Sequence, residues 1–490
     1  MAASTDVVVV GSGPNGLAAA VVLAAAGLEV EVYEAADTAG GGARTAETTL
    51  PGHRHDVCSS VHPLGVASPF FRAFDLAARG VETLQPDVAY AHPLDDGRAG
   101  LAYRDLERTA QALGPDADAW RSLLGPLVRR WPALADLVLS DYRTVPPDPV
   151  LALRFGGRVV EQGSRAWSLR FADDVAPAML TGVSTHAIAP ARALGPAGAG
   201  LLLATLAHGG GWPLVRGGSQ VIVDAMVSAL ERLGGRVVTG HRVRALGELP
   251  RARAVVLNLG PAGVLDVAGD RLTGAYRWWL QHYRYGSAAC RVDFALSGPV
   301  PWRAPGIQTA GTVHLGGTRA EMLATEQEVA AGRHPHRPYV LAVQAGVVDP
   351  GRSPAGQHQL STYAHVPNGS TVDMGEAVQA QVERFAPGFS ELVLHRWVRT
   401  AAEQEAYNAN YVGGDISTGA MTPWQVLARP APRWDPFRTP LAGVYLASAA
   451  TPPGPGVHGM AGLHAARRVL RQRFGVRTDP LDLVRSTRPG

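Results

Sequence analysis

The hydrophobic pattern changes its period twice within the first 34 residues. An apolar β-branched run over residues 7–10 is followed by a glycine-containing turn, an alanine-rich stretch over residues 17–26, and a second β-branched run that ends at Glu34. Short β-branched runs bounded by turn residues are typical of buried strands, whereas an alanine-rich stretch favours a helix. The pattern therefore predicts strand, turn, helix and strand, in the order of a βαβ unit.

The turn carries the spacing G-x-G-x-x-G. In such a turn the first glycine permits the tight bend, the second lets a pyrophosphate approach the main chain, and the third lets helix and strand pack closely. Glu34 follows Gly16 by 18 residues, at the end of the second strand, where a carboxylate accepts hydrogen bonds from an adenosine ribose. The predicted contact residues of this dinucleotide site are Gly11, Gly13, Pro14, Asn15, Gly16, Glu34 and Ala35.

A second glycine cluster, GGGART, occupies residues 40–45. Three consecutive glycines weaken both helix and strand, which predicts a close neighbour of the main chain. Together the motifs resemble the FAD-dependent phytoene desaturase-like flavoproteins, a branch of the amine-oxidase-like group. The resemblance implies that FAD is this close neighbour and that FAD is held non-covalently. It assigns cofactor contacts to Gly41, Gly42, Arg44 and Thr45.

Two later segments extend the resemblance. Residues 212–246 read as a Gly-Gly turn, an amphipathic helix and a hairpin-like pair of strands, similar to the family's middle FAD segment. Residues 443–470 read as a strand, a Pro/Gly loop and a helix that starts near His458 and directs N–H groups at the flavin. The resemblance adds as cofactor contacts Val243, Asn258, Gly260, Ser448, Gly456, Val457, His458 and Met460.

These segments predict an α/β fold in which the nucleotide-binding domain is discontinuous. A Rossmann-like FAD-binding domain is expected from residues 1–75, 212–262 and 437–490. An α+β substrate domain is expected from residues 76–211, whose pattern is mostly helical, and residues 263–436, which mix strands and helices. The substrate cavity is expected between the two domains, where ligand sites often form.

The composition of the chain limits the kinds of partner that it can bind. The chain has 490 residues, of which 46% are hydrophobic and 18% charged, with a formal net charge of +3. This is a globular composition, and the scattered arginines give no support for nucleic-acid binding. The sequence enters its first strand within six residues, so a cytoplasmic protein is expected. Apolar stretches such as residues 195–207 are too short to span a bilayer, and they leave peripheral contact with a membrane open.

The residue types that are missing narrow the chemistry. All 45 basic residues are arginine, so lysine chemistry is excluded. Amine oxidases of the superfamily typically place a lysine near the flavin, which lowers the weight of that class. The two cysteines form no C-x-x-C pair, which disfavours a disulfide reductase, and the histidines show no metal-ligand spacing.

A desaturase-like reaction remains: hydride transfer between flavin and a lipophilic unsaturated or prenyl-like substrate. A flavin-dependent isomerase or saturase, and a non-catalytic FAD-containing partner protein, are the alternatives. With one dinucleotide fingerprint occupied by FAD, oxygen or a quinone is the expected electron acceptor.

Two residues are catalytic candidates. His458 can donate to the flavin or shuttle a proton, or it can be a helix-start histidine bonded to a carbonyl. Asp415 can pair with Arg44 or act as an acid/base group, or it can be a turn residue. Asp56 and His62 follow the glycine loop and either line the cavity or belong to a polar loop with an aspartate cap.

Overall fold

The computed structural model describes residues 4–143, 146–190 and 192–489. Its strands fall into two large sheets and two short pairs. The strands are β1 (Ser4–Val10), β2 (Val30–Tyr33), β3 (Thr45–Ala46), β4 (His55–Asp56), β5 (Thr83–Leu84), β6 (Val88–Pro93), β7 (Ala99–Tyr103), β8 (Leu214–Val215), β9 (Arg236–Val238), β10 (Arg251–Leu257), β11 (Ala288–Leu296), β12 (Ala310–Leu315), β13 (Val340–Val343), β14 (His358–Val366), β15 (Val393–Arg399) and β16 (Val444–Leu446).

The helices cover both large sheets and form a separate helical region between residues 106 and 208. They are α1 (Pro14–Ala25), α2 (Pro63–Ala67), α3 (Pro69–Phe74), α4 (Leu106–Ala112), α5 (Ala117–Val128), α6 (Trp131–Val138), α7 (Pro149–Gln162), α8 (Val175–Ser184), α9 (Leu194–His208), α10 (Gln220–Arg232), α11 (Pro261–Ala268), α12 (Gly274–Gln281), α13 (Arg319–Ala330), α14 (Gly375–Phe385), α15 (Phe389–Leu392), α16 (Ala401–Tyr407), α17 (Pro423–Ala428), α18 (Met460–Val469) and α19 (Pro480–Ser486). None of the helices in the described ranges is long and apolar enough to cross a bilayer.

The first large sheet is parallel throughout, with the strand order β16-β10-β1-β2-β9. Its central strand, β1, is buried on both faces. Val7 and Val9 pack into a core with α1, α10 and α18, whereas Val8 and Val10 pack with α11. A continuous run of valines suits such a strand, because a parallel sheet is covered by helices on both sides.

The parallel sheet confirms the α/β class and the discontinuous Rossmann-like arrangement, since its strands come from three separate parts of the chain. The domain boundaries themselves stay a prediction. One detail differs from expectation: residues 236–246 contain one strand, β9, and no hairpin. After β9 the chain crosses the end of β2, where Gly240 N–H donates to Ala36 O and His241 N–H donates to Glu34 O. A chain whose N–H groups are used in this way cannot turn back beside β9.

The second large sheet is mixed, with the order β15-β11-β14-β13-β12-β6-β7. Every pairing in it is antiparallel except that of β12 with β6. Helix α14 packs on one face, and α8 and α9 share a core with β6 and β7. Residues 76–211 were expected to be mostly helical, but β6 and β7 of this range extend the mixed sheet, and β5 pairs with β8 in a separate pair of strands.

Candidate functional site

One cavity of about 1390 Å³ is lined by residues of both sheets and of the helical region. We divide its wall into two parts. The nucleotide part is formed by Gly11, Gly13, Pro14, Asn15, Glu34, Ala35, Gly41, Gly42, Arg44, Val243 and Asn258. The apolar arm is formed by side chains of α6, α7, α9 and α17 and their neighbours, among them Leu137, Val138, Tyr142, Phe155, Val159, Leu194, Gly198, Leu202, Leu203 and Leu427.

The fingerprint turn has the geometry that its glycines require. Gly11 has φ +96°, in the left-handed region, and its N–H donates to Tyr33 O at 2.8 Å. A side chain at Gly16 would overlap the carbonyl of Gly11, so close helix-to-strand packing is the reason for this glycine. Gly13 caps α1, Pro14 occupies the first turn, and that turn contains no acidic residue. The start of α1 therefore presents N–H groups and the positive end of the helix dipole to the cavity.

The Glu34 carboxylate is already engaged by the protein. Its Oε2 accepts from the N–H of Ser12 at 3.0 Å and from the Ser12 hydroxyl at 2.6 Å. Its Oε1 accepts from the N–H of Ala36 at 3.0 Å and pairs with Arg44 at 3.3 Å. A carboxylate has about four acceptor positions, and all four are used here. Glu34 thus joins the fingerprint turn to the glycine loop, and a ribose hydroxyl would have to displace one of these donors.

The glycine loop has closer neighbours than the sequence indicated. A Cβ at Gly41 would lie 3.1 Å from the Cα of Gly13, and a Cβ at Gly42 would overlap the Tyr411 hydroxyl. Gly40 has φ +130°, which side chains rarely adopt. The protein itself therefore explains the three glycines, although Gly41 and Gly42 also line the cavity.

Of the residues predicted in the two later segments, some line the cavity and others lie behind it. Val243, Asn258, Ser448, Gly456, Val457 and His458 are in the wall. Asn258 fastens the wall, because its Nδ2 donates to Gly11 O at 3.2 Å. Gly16, Thr45, Gly260, Met460 and Asp415 are not among the lining residues. Thr45 instead donates to Asp56, and Gly260 N–H donates to Asn410.

His458 is fully buried, with both ring nitrogens bonded to the main chain. The N–H of Met460 donates to Nδ1 at 3.0 Å, so the proton sits on Nε2, which donates to Gly454 O at 3.1 Å. Burial lowers the pKa of His458 to about 4 and keeps the ring neutral. This geometry supports the helix-start role, and it leaves no ring nitrogen for a proton shuttle.

Asp415 is buried in a turn. Its carboxylate accepts from the N–H groups of Gly286 at 2.7 Å, Gly419 at 2.8 Å and Ser417 at 2.9 Å. Its pKa is raised by burial, which those three donors oppose. Three main-chain donors on one carboxylate describe a turn residue. The expected pairing with Arg44 is wrong, because Arg44 bonds to Glu34 and to Thr38 O.

Asp56 and His62 divide between the two predicted roles. Asp56 is buried away from the lining and pairs with Arg352 at 3.0 Å. It also accepts from the Thr45 hydroxyl and the Ser219 N–H, both at 2.7 Å. His62 lines the cavity, and its Nε2 bonds to the Ser219 hydroxyl at 2.8 Å. Asp56 is thus structural, and His62 belongs to the wall.

Sequence reasoning missed several residues of the wall. His186, Trp212, Arg291 and Tyr363 line the cavity but lie on separate elements. No local motif links them, and only the arrangement of the chain in space brings them together. Tyr407 and Tyr411 also line the cavity, and the motifs did not single them out. Among the described residues the only carboxylates in the wall are those of Glu34 and Asp266.

Comparisons with known proteins agree with this geometry. The NAD(P)-binding Rossmann-like domain family matches residues 9–76. A rat protein called pyridine nucleotide-disulfide oxidoreductase domain-containing protein 2 is 25% identical over 95% of this chain and 93% of its own length. Hydroxyneurosporene desaturase of Rhodobacter capsulatus is 31% identical over 34% of this chain and 41% of its own length.

The fold also has a solved counterpart. The structure of a putrescine oxidase variant superposes with a TM-score of 0.62 at 17% identity, covering 96% of this chain and 99% of the oxidase. At this identity the likeness concerns the fold alone. The matches together support an oxidoreductase with a Rossmann-type nucleotide-binding unit and an amine-oxidase-like fold.

Proposed function

We propose that this chain is an FAD-dependent oxidoreductase of the phytoene desaturase-like type, which transfers hydride between flavin and a lipophilic unsaturated or prenyl-like substrate. The observation that carries the proposal is the single cavity in which a dinucleotide-binding wall continues into an apolar arm. A redox cofactor and an apolar molecule can then meet in one space.

The residues of the nucleotide part fit a flavin dinucleotide. The start of α1 offers N–H groups to a pyrophosphate, and Arg44, which is paired with Glu34, lines the same part of the cavity. Asn15 Oδ1 is buried without a hydrogen-bond partner among the described residues, so a hydroxyl of the cofactor can donate to it. FAD, when bound, would accept hydride from a carbon atom of the substrate or donate hydride to it. The chain supplies binding, orientation and exclusion of water.

The arm disfavours an amine as the substrate. A protonated amine is best held by a carboxylate, but of the two carboxylates among the described residues of the wall, Glu34 belongs to the nucleotide part and Asp266 lies on α11. The chain also has no lysine. The name of the rat relative suggests a disulfide substrate, and Cys58 and Cys290 are both free thiols rather than a redox pair. An apolar substrate suits the arm better than either.

Two further features of the chain bear on its electron acceptor and on contact with a membrane. We propose oxygen or a quinone as electron acceptor, because the part of the chain that the structure describes holds one parallel sheet with one glycine fingerprint. Apolar residues at the opening of the arm are exposed, with Leu427 75% and Leu194 42% exposed. These side chains support peripheral contact with a membrane, from which a lipophilic substrate would enter.

The test begins with the cofactor. Acid precipitation of the purified protein should release FAD into the supernatant. Chromatography against FAD and NAD(P) standards identifies the released nucleotide. A protein that binds no flavin on reconstitution, or that retains only a nicotinamide nucleotide, would refute the proposal.

The second step tests the reaction. The flavoprotein is mixed without air with polyenes, prenyl lipids, acyl chains and, as the opposing class, primary amines. Bleaching of the flavin band by a polyene or prenyl lipid, with a product lighter by two hydrogens, is the expected result. Bleaching by amines alone would move the protein to the amine oxidases. A product of unchanged mass would identify an isomerase, and no bleaching by any class would favour a non-catalytic partner protein.

A further inference from the structure

A pair of histidines forms part of the cavity wall away from the nucleotide part. His186 lines the cavity, and its Nε2 lies 2.8 Å from the Nε2 of His314, which is fully buried. The two rings meet edge to face, with centroids 5.0 Å apart. His186 also lies edge-on to Trp212, with centroids 5.7 Å apart. No other function of this pair follows from the fold, and a buried histidine pair requires an explanation.

The packing around His314 decides which nitrogens carry protons. Its Nδ1 has no hydrogen-bond partner among the described residues. A Cβ built on Gly182 would lie 3.0 Å from this Nδ1 and 2.6 Å from Nδ1 of His92, so the main chain of α8 closes that side. A buried N–H directed at carbon is costlier than a lone pair there. The His314 proton therefore sits on Nε2 and is donated to His186.

The tautomer of His186 follows from that of His314. Because His186 Nε2 accepts, a neutral His186 carries its proton on Nδ1. Burial lowers the pKa of His186 to about 3, and the pKa of His314 falls well below its ordinary value for the same reason. Nδ1 of His186 has no partner within the described part of the chain, and His186 is half-buried in the cavity wall. Its N–H is thus available to a molecule in the cavity.

Among the groups near the pair, His365 adds to the effect of burial and lowers the pKa of His186 further, which also favours a neutral ring. His92 donates from Nε2 to Gly317 O at 2.7 Å, and burial lowers its pKa to about 4. Tyr90 and Tyr339 flank His314, with ring centroids 5.3 and 6.3 Å away. The nearest acid of this cluster, Glu326, bonds to His365 at 2.6 Å, and His365 lies behind Tyr339.

We propose that His186, held in one tautomer by His314, donates a hydrogen bond to an acceptor oxygen on the lipophilic substrate. The substrate class is then an apolar molecule that bears a carbonyl, ester or hydroxyl oxygen, rather than a pure hydrocarbon or an amine. Trp212 lines the same cavity. Its N–H donates to Thr312 at 2.9 Å, so Trp212 offers a ligand ring surface and no hydrogen bond. The inference rests on the proposed use of the arm as a substrate site.

The first test reads the tautomers directly. Protein labelled with ¹⁵N-histidine is examined by long-range ¹H–¹⁵N correlation at pH 7, with the His186 signals identified by their loss in His186→Gln. A proton on Nδ1 of His186 and on Nε2 of His314 is expected. The opposite pair of tautomers, or a charged His186, would overturn the proposal, and this measurement needs no substrate and no flavin.

The second test measures recognition of oxygen. Binding of 2-decanone and decane is measured by equilibrium dialysis, and the ratio of their affinities is the preference for oxygen. In His186→Leu this preference should fall about 2- to 13-fold, the range expected for one net hydrogen bond. His186→Gln retains an N–H donor and should keep most of it.

An unchanged preference in His186→Leu would remove His186 from substrate recognition. If His186→Leu fails to fold, the tautomer measurement, which needs only the wild-type chain and His186→Gln, still decides. The outcome is also separable from the proposed function, because a chain without flavin fails the cofactor test while its preference for the ketone can still be measured.

Discussion

The nucleotide part and the apolar arm share one cavity, but different components of the chain form their walls. In the nucleotide part the main chain is the wall: glycines, a helix start and N–H groups lie where side chains would overlap. In the arm the wall consists of side chains from four helices separated by up to 290 residues. Main-chain walls depend on local spacing, whereas side-chain walls depend on how distant helices pack. Substitutions should therefore affect the two parts separately.

The largest expected effect comes from the ion pair behind the nucleotide part. Arg352→Met leaves Asp56 buried without its partner, and breaking a buried pair in this way costs about 3–5 kcal/mol of unfolding free energy. The exposed pair of Arg485 with Asp482 is the control, since solvent screens both charges and Arg485→Met should cost far less. Chemical unfolding measures both, and equal losses would contradict the assignment.

The same pair predicts how stability depends on pH. Burial raises the pKa of Asp56, but Arg352 and the donors of Ser219 and Thr45 outweigh burial, and the pKa is lowered. A lowered folded-state pKa contributes stability that is present above the unfolded pKa of about 4 and is lost as the pH falls through the folded value. The wild-type chain should therefore lose more stability in acid than Asp56→Asn, and parallel curves would show that Asp56 does not contribute.

A smaller effect is expected inside the fingerprint. Gly16→Ala forces a methyl group against Gly11 O, and overpacking of this kind costs about 1–3 kcal/mol, here near the upper limit because backbone must move. Bound cofactor should fall with it. Gly156→Ala is the matched control: it lies in α7 with no atom within 4 Å of the new Cβ, and it should stabilise the chain by about 0.5–1 kcal/mol. A harmless Gly16→Ala would mean that the close packing is not required.

Glu34→Gln tests whether the nucleotide part depends on charge. The variant keeps the size of the side chain but weakens the charge-assisted bonds to Ser12, Ala36 and Arg44. Such bonds are worth about 1.5–3 kcal/mol to the folded chain. FAD affinity should fall as well, because the turn and the glycine loop are no longer held together before FAD binds. Titration of the apo-protein with FAD measures this. Unchanged affinity would show that the fastening of turn to loop does not limit binding.

The smallest effect is expected from a substitution in the apolar arm. Gly198→Phe places a ring between α9 and Val159 of α7, where a Cβ would lie 3.6 Å from the valine methyl. Binding of decane should weaken about tenfold, or about 1.4 kcal/mol, while FAD content stays unchanged. Gly157→Phe, on the exposed side of α7, is the control. Loss of FAD in Gly198→Phe would show that the two parts are not independent.

The positions of the residues that form the nucleotide part follow from local sequence spacing. Gly11, Gly13, Gly16 and Glu34 lie within 24 residues of one another, and the glycine loop follows within 11 more. Strand, turn and helix form from local preferences, so this spacing fixes where those residues stand. It also fixed the α/β class, because a valine run, a helix and a second β-branched run in succession form a βαβ unit, whose two strands are parallel.

The hydrogen-bond partners of those residues, and the side chains that complete the cavity, follow from tertiary packing. Glu34 was predicted to be a free ribose acceptor, yet four protein donors surround it. The side chain that closes on Gly42 is Tyr411, and one donor to Asp415 is Gly286, 129 residues away. His186 and His314 are 128 residues apart, and their tautomers depend on the main chain of a third element. Hydrogen-bond saturation and the shape of a side-chain wall arise from contacts between distant segments, and no local pattern encodes them.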